Sequence, residues 1–112
     1  MEECIFCKII RGEIPANIVY ESEGALAFDD VNPMALVHVV VVPKTHVATL
    51  MDVSDGGMMK GLIAAVQEVA KIKGIDRKGF RTVINCNEDG GQVIFHLHVH
   101  ILGGRKLHDD MG

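Results

Sequence analysis

Apolar and polar positions alternate in short runs along most of the chain, and in one long stretch they recur at helical spacing. Residues 17–22 (NIVYES) and 25–29 (ALAFD) read as two strands joined by a tight turn near Glu23–Gly24. Residues 37–42 (VHVVVV) are strongly β-branched, which predicts a strand buried on both faces and ended by Pro43. Met58, Leu62, Ala65, Val66, Val69 and Ile72 recur at helical spacing. They predict a helix capped by Asp52 or Ser54, running to about Lys73 and stopped by Gly74. Residues 5–11 (IFCKIIR) predict a short helical turn before Gly12 and Pro15, and residues 30–35 (DVNPMA) a loop. Residues 80–86 (FRTVINC) predict another strand, with Cys86 a small core residue. The Gly-rich turn NEDGGQ (87–92) leads to a last strand, HLHVHIL (96–102), whose short connection favours an antiparallel pair. The sum is an α+β domain: a sheet of about five antiparallel strands, one long helix and a short N-terminal helix, in a single domain over 1–112.

Composition narrows the setting. The chain has 112 residues, 48% hydrophobic and 23% charged, which fits a folded domain with a modest core. No apolar run reaches the ~18 residues of a membrane span. The opening MEECIFCKII has acids where a secretory leader carries positive charge, so a cytoplasmic location is expected, with no membrane partner. Net charge is −4 with no basic stripe, which argues against long nucleic acid but not against one small nucleotide. Three cysteines in such a chain do not suggest a disulfide framework.

The last strand carries the chemistry. His96, His98 and His100 lie two residues apart and so share one face, while Leu97, Val99 and Ile101 face the core. Solvated strand faces usually carry Thr, Lys, Glu or Ser. Two uses of three aligned imidazoles remain open from the residues alone. One is a metal site, since neutral imidazole is a good zinc ligand. The other is chemistry on phosphate, with one imidazole as nucleophile and its neighbours stabilising phosphoryl oxygens.

HLHVHIL resembles the His-φ-His-φ-His-φ-φ signature of the histidine triad (HIT) family at every position. CIFCKIIRGEIPA at the start, LAFDDVNP at 26–33, HVVVVPKTHV at 38–47 and NEDGGQ before the triad resemble its Hint branch. The resemblance covers nearly the whole chain, and its motifs fall in the family's order. It implies a homodimeric hydrolase that cleaves the P–N bond of purine nucleoside phosphoramidates and related adenylates. On that resemblance His98 is the nucleophile, forming a nucleotidyl-histidine, and His100 and His38 are its partners at the phosphate. Asp30 is implied as the ribose-binding acid. Phe28, Val31, Ile5, Phe6 and Ile9 are implied for the base pocket, with Asn85 and the backbone at Gln92 and Val93 on the phosphate side. The bacterial-type members with CIFC hold a structural zinc, which implies Cys4, Cys7, His46 and His96 as ligands and no cofactor for catalysis. The rival arrangement pairs His96 and His98 on a catalytic metal.

Two departures bear on activity. Several relatives have Ser or Thr where this chain has Val93, so a hydroxyl that assists the leaving group is missing. The tail KLHDDMG also lacks the Trp-containing segment with which some relatives influence substrate choice. The remaining readings are a nucleotide-binding regulatory module with little turnover, or a dinucleoside polyphosphate hydrolase.

Overall fold

A strand of β-branched residues has no solvent face to lose, so it belongs in the middle of a sheet. In the computed structural model, which describes residues 4–112, Val37–Pro43 (β3) takes that central place. The remaining elements are α1 (Ile5–Ile10), β1 (Ile18–Glu21), β2 (Ala25–Asp29), α2 (Gly56–Ile72), β4 (Arg81–Val83) and β5 (Val99–Gly103). The strands form one five-stranded antiparallel sheet in the order β1-β2-β3-β5-β4.

The alternation of side chains splits the core in two. Val39 and Val41 of β3 join Ala25, Ala27, Leu97, Val99 and Ile101 beneath Leu62, Ala65, Val69 and Ala70 of α2. Val40 and Val42 point the other way, where Leu26 and Phe28 meet Phe6 of α1. Register places Val40 opposite His100 and His38 opposite Leu102, so His38 and His100 share the α1 side of the sheet. Leu97, Val99 and Ile101 face α2, as the alternation predicts.

Three boundaries and two burial assignments differ from the sequence reading. The N-cap of α2 is Asp55, whose Oδ1 accepts from Gly57 N–H at 2.8 Å, rather than Asp52 or Ser54. Asp52 instead closes a capping box with Thr49 on a short 3₁₀ turn, Leu50–Asp52. Near the end of α2 the buried residue is Ala70, and Ile72 is exposed. β5 begins at Val99, so His96 and His98 precede it. The reason lies across the sheet: Pro43, which ends β3, has no N–H to continue the ladder. The segment before Val99 is tied instead by Leu97 N–H to Val47 O at 2.7 Å. β4 stops at Val83, opposite His100 and short of the expected 86, and Cys86 is half-buried rather than core. Gly74, at φ 69°, follows α2 as the stop signal requires. Among the described residues, no helix is long and apolar enough to cross a membrane.

Candidate functional site

The α1 side of the sheet carries two groups of polar side chains and one cavity. Their chemistry follows from which ring nitrogen of each histidine is tied to a group that can only accept or only donate.

The Nε2 of His96 lies 2.8 Å from Pro43 O. A carbonyl can only accept, so Nε2 carries the proton and Nδ1 is bare. That Nδ1 faces Cys4 Sγ at 3.4 Å and Cys7 Sγ at 3.6 Å. His46 Nδ1 approaches Cys7 Sγ at 3.4 Å. One donor atom from each of these four residues lies within 4.8 Å of the others. A tetrahedral zinc with ~2.3 Å bonds to sulfur and ~2.0 Å bonds to nitrogen sets the S···N edge at about 3.5 Å. The observed separations match that edge, so the donor set fits zinc. Burial, and Cys4 beside it, push the Cys7 thiol up, so metal binding must displace a proton there. The group that includes His96 leaves His98 out, which disfavours a metal shared by the two.

His98 is assigned the opposite way. Its Nδ1 donates to His96 O at 2.7 Å, leaving Nε2 without a proton. His38 Nδ1 accepts from Met34 N–H at 3.0 Å, so neutral His38 holds its proton on Nε2. That Nε2–H donates to His100 Nδ1 at 2.9 Å, with Asp30 Oδ2 a more distant acceptor at 3.4 Å. His100 therefore carries its own proton on Nε2 as a free donor. Burial, and then the repulsion a charged His98 or His38 would exert, push His100 down to about 4. Burial lowers His38 as well, against the pull of Asp30. Both are neutral near pH 7, so the relay Met34–His38–His100 has one orientation. Asp30, His38 and His100 also form a compact donor group, but the two imidazoles spend their facing atoms on each other.

Beside these groups opens a cavity of about 460 Å³. That is within the usual range for a small-molecule site. Ile5, Phe6 and Ile9 of α1 line it with Phe28 and Val31; His98, His100 and Asp30 supply polar groups; Asn85 and Val93 complete the expected lining. Asp30 also accepts from Asn32 N–H at 2.8 Å through Oδ1, so it both starts a turn and borders the cavity. Asn85 Nδ2 donates to Gly90 O across the 87–92 turn. A Cβ at Gly90 would lie 2.4 Å from Cys86 O, so only glycine fits there. Val93 is 87% exposed.

Two expected residues fall outside the cavity lining. His38 stands behind His100. Gln92 is buried and engaged elsewhere: its side chain donates to Ala48 O and Ile94 O and accepts from Asn87 N–H, and its own N–H bonds Asn87 O. The cavity also uses Ile14, Pro15, Ala16 and Ile94, which sequence reasoning did not name. Gly12 and Pro15 signal only a break there; that the chain folds back over the cavity is a tertiary fact.

A triad face on an antiparallel sheet, a single neutral relay and an adjoining apolar cavity define a class, and comparison with known proteins agrees. The HIT domain family matches residues 11–107, and the chain belongs to that family. It is similar to the purine nucleoside phosphoramidase of Escherichia coli, 41% identical over 108 residues, 95% of this chain and 91% of that one. The solved structure of a HIT family hydrolase from Clostridium thermocellum superposes with a TM-score of 0.96 at 41% identity, covering 99% of this chain and 98% of its own. A zinc-bound histidine triad family protein of Mycobacterium smegmatis superposes at 0.83 with 33% identity, covering 93% and 76%.

Proposed function

We propose that this chain is a hydrolase of purine nucleoside phosphoramidates that releases AMP. The observation that carries the reading is the bond from His98 Nδ1–H to His96 O, which leaves a bare Nε2 on a histidine that lines the cavity. The name of the Escherichia coli relative supports the substrate class.

In the first step His98 Nε2 attacks phosphorus. The P–Nε2 bond forms, the bond from phosphorus to the substrate nitrogen breaks, and the amine departs with a proton taken from solvent. Water then attacks phosphorus and gives up a proton to solvent; a P–O bond forms, the P–Nε2 bond breaks with its electron pair returning to Nε2, and AMP leaves with His98 neutral again. The His100 Nε2–H donates to a phosphoryl oxygen throughout, oriented by His38. The Asp30 carboxylate accepts from the ribose hydroxyls, Asn85 and the backbone at Val93 serve the phosphate side, and the α1 wall with Phe28 and Val31 takes the base.

Cys4, Cys7, His46 and His96 hold a structural zinc in this reading. A closed four-ligand site ties α1 to the sheet and does not activate water. The zinc-bound Mycobacterium smegmatis relative supports the metal. The chain acts as one HIT domain in the cytoplasm and as a homodimer; the exposed Ile63 and Ile72 on α2 and the edge strand β4 give a second copy something to cover.

A second reading rests on Val93. It stands exposed at the rim and offers no hydroxyl to a leaving amine, which favours a nucleotide-binding module with little turnover. Release of AMP from adenosine 5′-phosphoramidate separates the two. Turnover that falls about a thousandfold or more in His98→Ala supports the hydrolase. AMP binding without turnover in the wild type supports the module.

A further inference from the structure

Phe6 lies between Cys4 and Cys7 in the chain and between the two polar groups in space. Its buried ring meets His96 edge-on at 5.9 Å, His98 at 5.1 Å and Phe28 at 5.6 Å. The same ring lines the cavity. The helix that carries it, α1, has six residues, too few to hold together by its own backbone bonds. Its N-cap is Cys4, whose sulfur accepts from Cys7 N–H at 3.4 Å, so the two thiols bracket the turn that presents Phe6. A second route runs through His96. Its Nδ1 faces the thiols, while its backbone carbonyl receives the proton of His98 Nδ1.

Resting on the zinc and nucleotide sites proposed above, we infer that filling the Cys4–Cys7–His46–His96 site and filling the cavity are energetically coupled, with Phe6 and His96 as the positioning residues. With metal bound, α1 is pinned against the sheet, the Phe6 wall is in place and the His98 ring is held between Phe6 and its own carbonyl bond. Without metal, α1 keeps its apolar contacts and the weaker thiol–imidazole hydrogen bonds of Cys4 and Cys7, and a fraction of molecules lacks one cavity wall. A nucleotide then binds more weakly in proportion to the competent fraction. Linkage makes the effect reciprocal: a nucleotide in the cavity stabilises the arrangement that grips the metal.

The test measures AMP affinity by calorimetry on zinc-loaded and chelator-stripped protein, and zinc affinity by chelator competition with and without saturating AMP. Far-UV circular dichroism follows the fold of each sample. The expected result is AMP binding at least about fivefold tighter to loaded protein, and zinc affinity raised by the same factor when AMP is present. Phe6→Leu keeps apolar bulk but loses the ring; it is expected to bind one equivalent of zinc with a coupling factor reduced toward one. Equal affinities with and without the other ligand overturn the coupling while leaving both sites standing. Unfolding of the stripped protein also overturns it, because metal would then act on the whole fold rather than through α1. Loaded protein that binds no AMP overturns the nucleotide reading, and protein that takes up no zinc overturns the metal reading. Each takes the coupling with it, by a result distinct from its own failure.

Discussion

The two ends of the triad segment are built from the same residue type and do opposite things. At one end His96 gives its Nε2–H to a backbone carbonyl and turns a bare Nδ1 toward two thiols. Two residues later His98 gives its Nδ1–H to a backbone carbonyl and leaves Nε2 bare at the cavity. Two residues later again, His100 receives a proton donor on Nδ1 and presents Nε2–H. The backbone and His38 thus give three imidazoles three different proton arrangements, which suit the jobs proposed for them: a ligand, a nucleophile and a donor. A row of histidines is ambiguous until the group behind each ring is known, and here each ring has a different one.

That contrast can be broken residue by residue. His98→Ala should abolish AMP release, by about a thousandfold or more, and keep its full zinc content. Metal analysis beside the assay checks both halves. His96→Ala should do the reverse in origin: it loses zinc, and it leaves the Pro43 carbonyl without a buried partner, a loss of about 1–3 kcal/mol before the metal is counted. A urea titration with and without added zinc reads it, and an unchanged midpoint would remove His96 from the metal site.

The donor end predicts a smaller effect. His100→Ala should lower turnover about a hundredfold by deleting a donor to the phosphoryl oxygens, whereas His100→Gln retains an N–H and should recover part of it. The same group sets a pH signature. His100 is lowered from 6.5 to about 4 in the folded protein, so between those values the unfolded chain binds the proton and the folded one does not. Its share of stability is complete above pH 6.5 and is lost as pH falls toward 4. The difference in urea midpoint between wild type and His100→Gln should therefore change across that window and be flat above it. His38 shifts in the same direction and bonds His100, so it belongs to the same signature. Smallest of all, Val93→Ser should raise turnover a few-fold by restoring a hydroxyl at the cavity rim. No gain would mean that the leaving amine lies away from that rim.

How much of this the chain reveals depends on the range of the interaction. The β-branched run of β3, the alternation through Leu97, Val99 and Ile101 and the helical spacing before Gly74 are local, and they marked the sheet, the core side of the triad and α2. The cap of α2 went to Asp55 because Asp52 was taken by Thr49, a competition between neighbours that share the same side-chain chemistry. The late start of β5 depends on a proline fifty-odd residues earlier, set opposite by the topology. The family motifs named the candidate residues and implied a role for each, but not the hydrogen bond behind each ring. The proton relay needs Met34 N–H behind His38, and His38 beside His100. Gln92 shows the limit of motif position: it sits next to Val93, yet its polar atoms hold the loop together.

The most direct measurement is the imidazole ¹⁵N spectrum of the zinc-loaded protein near pH 7, with His96, His98 and His100 assigned by substitution. The expected result is a proton on Nε2 of His96 with metal on Nδ1, a proton on Nδ1 of His98 with Nε2 bare, and a proton on Nε2 of His100. A proton on Nε2 of His98 would contradict the account, because the atom proposed to attack phosphorus would have no lone pair to offer.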